Sequence, residues 1–403
     1  MGLLIGNIPN TILPEQVKQA VNEDIPMYGV KFSSSSTVGT RTYDAAHLNW
    51  SRSSNSQAGE DDFKDLAPFN VKEVCRVWNS TNNTASYLYK TDYSDAEWQT
   101  IRNGTHATID GDIMIEVPEF WYRRVSTAEG LEIIVAPEYK VGFTPDPWHY
   151  EKGVHHQKRY ISKYPIGQNY KIRSGIAPLT NTNMNTFRTN LRAKALNMIS
   201  APAWYSLTML MLVKYASTDV QATVSAGRSD DDIMEPSVQV TGSTDSILGL
   251  DGSATSIATN EEALTFGVES FYGDCWKYVD GCFLYDNMIY LKDVEDVTSD
   301  PTSLADLQAS YTQVATPVLA GGNNTPISSI ANDTIYDWLF YPSNADGSSK
   351  TIVCNDDFWS ASGLRLLLLG GDAWHGASDG IFCWGSYDVV GHSGVSVGGL
   401  AVC

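Results

Sequence analysis

The sequence predicts an α+β chain in which short strands outnumber helices. Three observations carry this. Apolar and aromatic runs of four to seven residues recur between Asn, Gly and Asp turns. Two stretches near the middle repeat their apolar residues at helical spacing. The last forty or so residues place two apolar strands on either side of Gly-rich polar loops.

At the N-terminus, Thr11 to Asn22 reads as a short helix. Pro14 suits its first turn, Glu15 suits the positive end, and Leu13, Val17, Ala20 and Val21 form an apolar stripe. It is a candidate assembly segment. Residues 26–112 read as a smaller β-rich N-terminal domain, with loops at Ser33–Thr37 and Ser51–Asp62. Strand character lies at Val74–Trp78, Ser86–Tyr89 and Asp112–Val117. A larger domain is expected over 113–403, opening on the aromatic strand Glu119–Val125. In Gly142–Tyr164, His149, His155 and His156 lack the spacing of a metal site, and Tyr160–Tyr164 reads as a strand.

Asn185–Asn197 and Pro202–Tyr215 are the expected helices. The second carries Trp204, Leu207, Leu210, Met211 and Tyr215 at three- and four-residue steps. Two polar insertions follow, near 227–260 and 293–330. The first holds Asp230, Asp231, Asp232, Asp245 and Asp251, and makes calcium the one cofactor to consider. It lacks EF-hand spacing and reads as a solvated acidic loop, so no cofactor is expected. Tyr336–Phe340 and Thr351–Cys354 resume the β core, and Phe358 and Trp359 lead into the last segment.

That segment opens on the strand Leu364–Leu369, closed by Gly370 and Gly371, and ends on Val397–Cys403. Between them lie Asp372, Trp374, His375, Ser378, Asp379, Ser386, Tyr387, Asp388, His392, Ser393 and Ser396. Tyr and Trp give large contact area at small conformational cost, and Ser, Gly and Asp give adaptable polar contacts. These eleven residues are the candidate ligand-binding set. Asp372, His375, Ser386, Tyr387, Asp388, His392, Ser393 and Ser396 are expected on one exposed face. Trp374 is expected to be mostly structural, and Leu366, Leu368, Phe382 and Val402 to be buried.

From Leu366 to Cys403 there is no Lys, Glu, Gln or Met, although all four occur throughout the rest of the chain. Codons ending in a pyrimidine cannot encode them. Replacement of the adenines of Asn codons would leave this gap while reaching Asp, His, Ser, Tyr and Gly. It would not reach Trp.

The pattern Ser362-Gly363-Leu364-Arg365, Gly370-Gly371, Trp374 and Gly398-Gly399 resembles the variable region of proteins diversified by retroelements. Upstream, Gly267-Val268-Glu269-Ser270-Phe271-Tyr272-Gly273-Asp274-Cys275-Trp276-Lys277-Tyr278-Val279-Asp280-Gly281 is similar to the family's G-N-V-W-E-W-V-D segment. It departs from it at Asp274, Cys275, Lys277 and Tyr278. The closing G-F-R or G-A-R of the family stands here as Gly399-Leu400-Ala401, without the arginine. The resemblance runs from about residue 110 onward. It implies a C-type lectin fold related to the formylglycine-generating enzymes, with two helices on its sheet and a variable region near 362–403. It further implies a phage or prophage tail-tip receptor-binding protein, homotrimeric and joined to other tail proteins. A host cell-surface protein or glycan would be its ligand. A bacterial surface adhesin would use the same chemistry at a cell surface.

The enzymes related by fold use a cysteine pair near the C-terminal end. Here Cys354 and Cys383 are the only counterparts and their flanking residues do not match, so no enzyme activity is expected. The net charge of −20 argues against nucleic acid, which needs clustered Lys and Arg. No run of eighteen apolar residues is present, so no membrane insertion is expected. Met1–Pro9 lacks the basic start and small-residue cleavage site of a signal peptide. The six cysteines, without close-paired metal spacing, read mostly as small buried hydrophobes.

Overall fold

The computed structural model describes residues 25–127, 130–229, 238–255, 261–330, 335–343 and 353–403. The expected helix Thr11–Asn22 and the acidic run Asp230–Asp232 lie outside the described residues. The fold is α+β and β-rich, with few helices.

Three sheets organise it. The first runs Thr40–Tyr43, Tyr28–Ser33, Gly130–Ala136, Trp121–Thr127, Thr144–Pro145, all antiparallel. The second runs Asn197–Met198, Ala401–Val402, Lys158–Ser162, Asp112–Pro118, Lys72–Asn79, Thr84–Tyr89. Each of these sheets joins strands from before residue 112 to strands after it, so the boundary expected there runs through shared hydrogen-bonded ladders. The third sheet is centred on Trp276–Tyr285, which pairs with Met288–Leu291 on one side and Leu364–Leu369 on the other. Trp384–Ser386 and Asp357–Ser360 continue it. Its register slips between Tyr278 and Phe283. Gly281 sits in that bulge at φ 75°, and a Cβ there would stand 2.3 Å from the Lys292 carbonyl oxygen, so only glycine fits.

The helix Ala201–Tyr215 is the interior post. It is apolar nearly all round and correspondingly buried nearly all round. Ser200 caps it by accepting the Ala203 N–H, Pro202 occupies the first turn, and Ala216 closes it in the left-handed region. Trp204 stacks on Phe271 with centroids 4.0 Å apart, and its indole N–H donates to the Ile381 carbonyl at 3.0 Å. The helix thus holds the final segment directly. The other helix, expected over Asn185–Asn197, spans Met184–Arg192 and stops short because the chain turns into the strand Asn197–Met198; it is capped by Asn183 and buries Met184, Phe187, Arg188 and Leu191.

Besides the single turn Val220–Thr223, two helices of the described residues were not anticipated. Asp95–Arg102 is capped by Ser94, with Glu97 three residues on, and Leu304–Ser310 is capped by Ser303. Both are too short for a clear period. Tyr336–Phe340, expected as strand, forms turns, yet its Tyr336, Trp338, Leu339 and Phe340 are buried. Cys354 precedes the strand Asp357–Ser360 rather than lying in one.

The first insertion is not a solvated acidic loop where it is described. Asp251 accepts the Tyr215 hydroxyl and pairs with the fully buried Lys214 at 2.7 Å. Asp245 accepts the Tyr164 hydroxyl at 2.5 Å and meets Arg102 at 3.2 Å. The Glu269 carboxylate takes the backbone N–H groups of Gly242 and Thr244 at 2.7 and 3.0 Å. Buried carboxylates need such partners, and here they sew the insertion to the core. Asp245 and Asp251 thus face protein donors inside the fold.

His149 is likewise structural, buried between Asp146 and the Val117 carbonyl. All six cysteines are free and all but Cys403 are buried, as small hydrophobes. Among the described residues no helix is long and apolar enough to cross a membrane.

Candidate functional site

The last segment is a strand, a loop, a short strand, a second loop and two closing strands. Leu364–Leu369 lies between Trp276–Tyr285 and Trp384–Ser386, and its Leu366, Leu367, Leu368 and Leu369 are buried. Gly370 and Gly371 then turn the chain at φ 87° and 71° into the loop 372–383. After Trp384–Ser386 the loop 387–396 leads to Val397–Gly398, which runs parallel to Trp276–Lys277. Ala401–Val402 departs to the second sheet. Phe382 and Val402 are buried, as expected.

Both loops border one floor. Trp276 and Tyr278 alternate onto the same face of their strand. Trp276 stands edge-on to Trp359, centroids 5.4 Å and planes 90° apart, and the His375 ring lies 4.6 Å from Trp359 and 6.2 Å from Trp276. The Trp276 N–H donates to the Ser396 carbonyl at 2.8 Å, and the Tyr278 hydroxyl donates to the His392 carbonyl at 2.7 Å. One loop therefore rests on the floor through His375, the other through His392 and Ser396.

On this base Trp374 is 46% exposed and Tyr387 59%, flanked by exposed Val389 and Val395. Ser393 is exposed, and His375, Ser378, Asp388, His392 and Ser396 are half-buried at the rim. The second loop is braced from within. Arg365 donates to the Ser362 and Tyr387 carbonyls at 2.8 and 2.9 Å, and His392 lies 3.5 Å from Asp388.

Three candidates are not on the surface. Ser386 is buried in its strand, where its Oγ accepts the Trp384 indole N–H and donates to the Trp359 carbonyl, both at 3.1 Å. Asp372 is buried, accepting the Trp374 N–H at 3.1 Å and lying beside His375. Asp379 is fully buried, and a Cβ on Gly371 would stand 1.9 Å from its Oδ1, so the glycine makes room for the carboxylate. Asp372 and Ser386 are met by backbone groups around the loops, whereas Asp379 meets only the His375 N–H at 3.3 Å and the Cys383 thiol at 3.5 Å. Trp374 departs from expectation in the other direction, being half-exposed rather than structural. Trp359, Val389 and Val395 complete the surface, over the buried Trp276, without having been candidates. The Trp359 that precedes the segment and the Val389-Val390 pair between its loops are the signals that could have found them.

Cys383 lies under the loops, buried, 3.5 Å from Asp379 Oδ1. Burial, with the Asp379 and Asp356 carboxylates, pushes its thiol well above the usual range. Burial raises the Cys354 thiol likewise. A thiolate nucleophile needs the opposite environment.

No family model matches the sequence, and no curated protein does either. Among solved structures, the chain is similar to the Major Tropism Determinant U1 variant, with a TM-score of 0.29 and 10% identity, covering 82% of this chain and 71% of that one. The Major Tropism Determinant M1 variant gives a TM-score of 0.31 and 11% identity with the same coverage. Likeness at that level sets neither the fold family nor the function, and both rest on the residues themselves.

Proposed function

We propose that this chain is a phage or prophage tail-tip receptor-binding protein. On this reading it has a C-type lectin fold, and the loops 372–383 and 387–396 display its variable binding surface. One observation carries the reading. Among the described residues the exposed large aromatics are Tyr43, Trp374 and Tyr387, and two of these three stand on the paired terminal loops. Exposed aromatics on a braced base, ringed by Ser, His and Asp, are the makeup of a protein-binding or glycan-binding surface. The gap in Lys, Glu, Gln and Met across this segment supports diversification of the surface. The ligand is a host cell-surface protein or glycan. The assembly proposed is a homotrimer, since linked copies amplify weak single-site binding. Light scattering at micromolar concentration should give three times the mass of one chain.

The experiment is binding of the purified chain to intact cells of the strain that carries the gene and of its close relatives, beside the Trp374→Ala/Tyr387→Ala double variant. Binding by the parent and a loss of tenfold or more in the double variant, at unchanged unfolding temperature, supports the reading. Equal binding by both overturns it.

A further inference from the structure

The loop 372–383 carries a second arrangement, distinct from its exposed aromatics. Asp372, His375 and Asp379 follow one another at three- and four-residue steps immediately after the Gly370-Gly371 turn. One carboxylate oxygen from each aspartate and a ring nitrogen of His375 all lie within 4.8 Å of one another. We propose that these three residues form a binding site for a first-row divalent cation, zinc foremost.

The geometry of the contact is the first argument. His375 Nδ1 lies 2.9 Å from Asp372 Oδ1 and 3.7 Å from Asp379 Oδ1. Yet Nδ1 is buried and makes no hydrogen bond among the described residues. A donor and acceptor this close but misaligned resemble two ligands on one ion. Ligand atoms about 2.1 Å from a cation and roughly 90–110° apart stand about 3.0–3.4 Å from each other.

The second argument is charge. Asp372 and Asp379 are both buried, at 3% and 0% exposure. Among the described residues neither has a Lys or Arg at ion-pair distance, and no Lys or Arg occurs from Leu366 onward. Asp379 meets only weak donors, the His375 N–H at 3.3 Å and the Cys383 thiol at 3.5 Å. Two buried carboxylates without a fixed cation are stabilised by one brought between them, and a divalent ion matches their joint charge.

The third argument selects the ion. An imidazole with two carboxylates suits zinc or manganese, whereas calcium takes oxygen ligands alone. His375 is partly exposed and Trp374 beside it more so, so one side of the site opens to solvent. Water or an incoming group can complete the coordination there. The site stands on its own geometry, whether or not the surface above it binds a receptor.

The simpler arrangement is His375 beside Asp372 with no metal between them. Titrating zinc chloride into chelator-treated protein by calorimetry separates the two. The expected result is one equivalent bound at micromolar or tighter affinity, with a raised unfolding temperature. His375→Ala should weaken uptake at least a hundredfold and abolish the zinc-induced rise in unfolding temperature, each protein being read against its own metal-free value, because His375 also seats the loop on Trp359. Cobalt in place of zinc should give visible absorption in the parent and none in His375→Ala. Failure of the parent to take up zinc overturns the proposal. So does equal uptake by His375→Ala, which would place the ion elsewhere, for instance on cysteines.

Discussion

Arg188 and Asp280 meet through two buried hydrogen bonds, Nε to Oδ2 at 2.8 Å and Nη2 to Oδ1 at 2.7 Å. Asp300 takes the same Nη2 at 2.7 Å. The pair fastens the helix Met184–Arg192 to the strand whose Trp276 and Tyr278 floor the terminal loops. Removing Asp280 takes two of the charge-assisted bonds from a buried guanidinium and leaves the less buried Asp300 as its remaining carboxylate. Asp280→Ala should therefore cost about 3–5 kcal/mol in denaturant unfolding. A loss under about 1 kcal/mol would show that the helix docks without the pair.

Scaffold and surface should separate cleanly within the last segment. Leu366→Ala empties part of the core and should cost about 2–5 kcal/mol. Ser386→Ala strands the Trp384 indole N–H and should cost about 1–3 kcal/mol. Tyr387→Ala should stay within about 0.5 kcal/mol and, on the proposed function, lower cell binding instead. Urea unfolding of the three variants checks the order.

Stability should be greatest under mildly acidic conditions. Burial, aided by Asp293, raises the Glu151 carboxyl, and burial with the Asp274 and Glu269 charges raises Glu262. Each holds a proton in the folded chain that the unfolded chain releases above about pH 4.3. Stability therefore falls as pH rises from there through the folded values. Glu73 runs the other way. Burial alone would raise it, but Lys163 and Arg102 hold it at about 2. Its contribution is present above the ordinary glutamate range and is lost as pH falls toward 2. Scanning calorimetry should give a lower Tm at pH 8 than at pH 5.5. A Tm that climbs across that interval would contradict it.

Thiol chemistry should be silent in the native chain at five positions. Cys75, Cys275, Cys282, Cys354 and Cys383 are buried, and burial raises each thiol. Iodoacetamide with peptide mass mapping should label none of them until denaturant is added. Native labelling of Cys383 would show that the loops above it open.

Much of this was legible where local chemistry decides structure. Leu364–Leu369 stood out because the two glycines that close it are needed for the turn after it. The helix Ala201–Tyr215 stood out through its Pro202 and apolar steps, although its wrap-around apolarity, not a stripe, is what buries it. The helix Asp95–Arg102 was missed, though Ser94 and Glu97 carry a capping box. Asp280 could be found through the resemblance of its strand, but its partner Arg188, ninety-two residues earlier in the chain, could not. The burial of Asp372, Asp379 and Ser386 was illegible for a related reason. A polar residue in a Gly-rich loop looks solvated until the segments that enclose it are placed.

Ala401–Val402 is an interior strand of the second sheet, paired with Lys158–Ser162 on one side and Asn197–Met198 on the other. The residues read after the loops are thus the ones that join two strands lying far back in the chain. A shifted reading frame or an early stop anywhere in the loops removes this closure and leaves both neighbours with open edges. Such chains should be cleared as misfolded instead of displaying a damaged surface. The closing strand thus makes the fold depend on an intact reading frame through the loops: a substitution at an exposed loop position leaves it in place, and an early stop or a shifted frame does not.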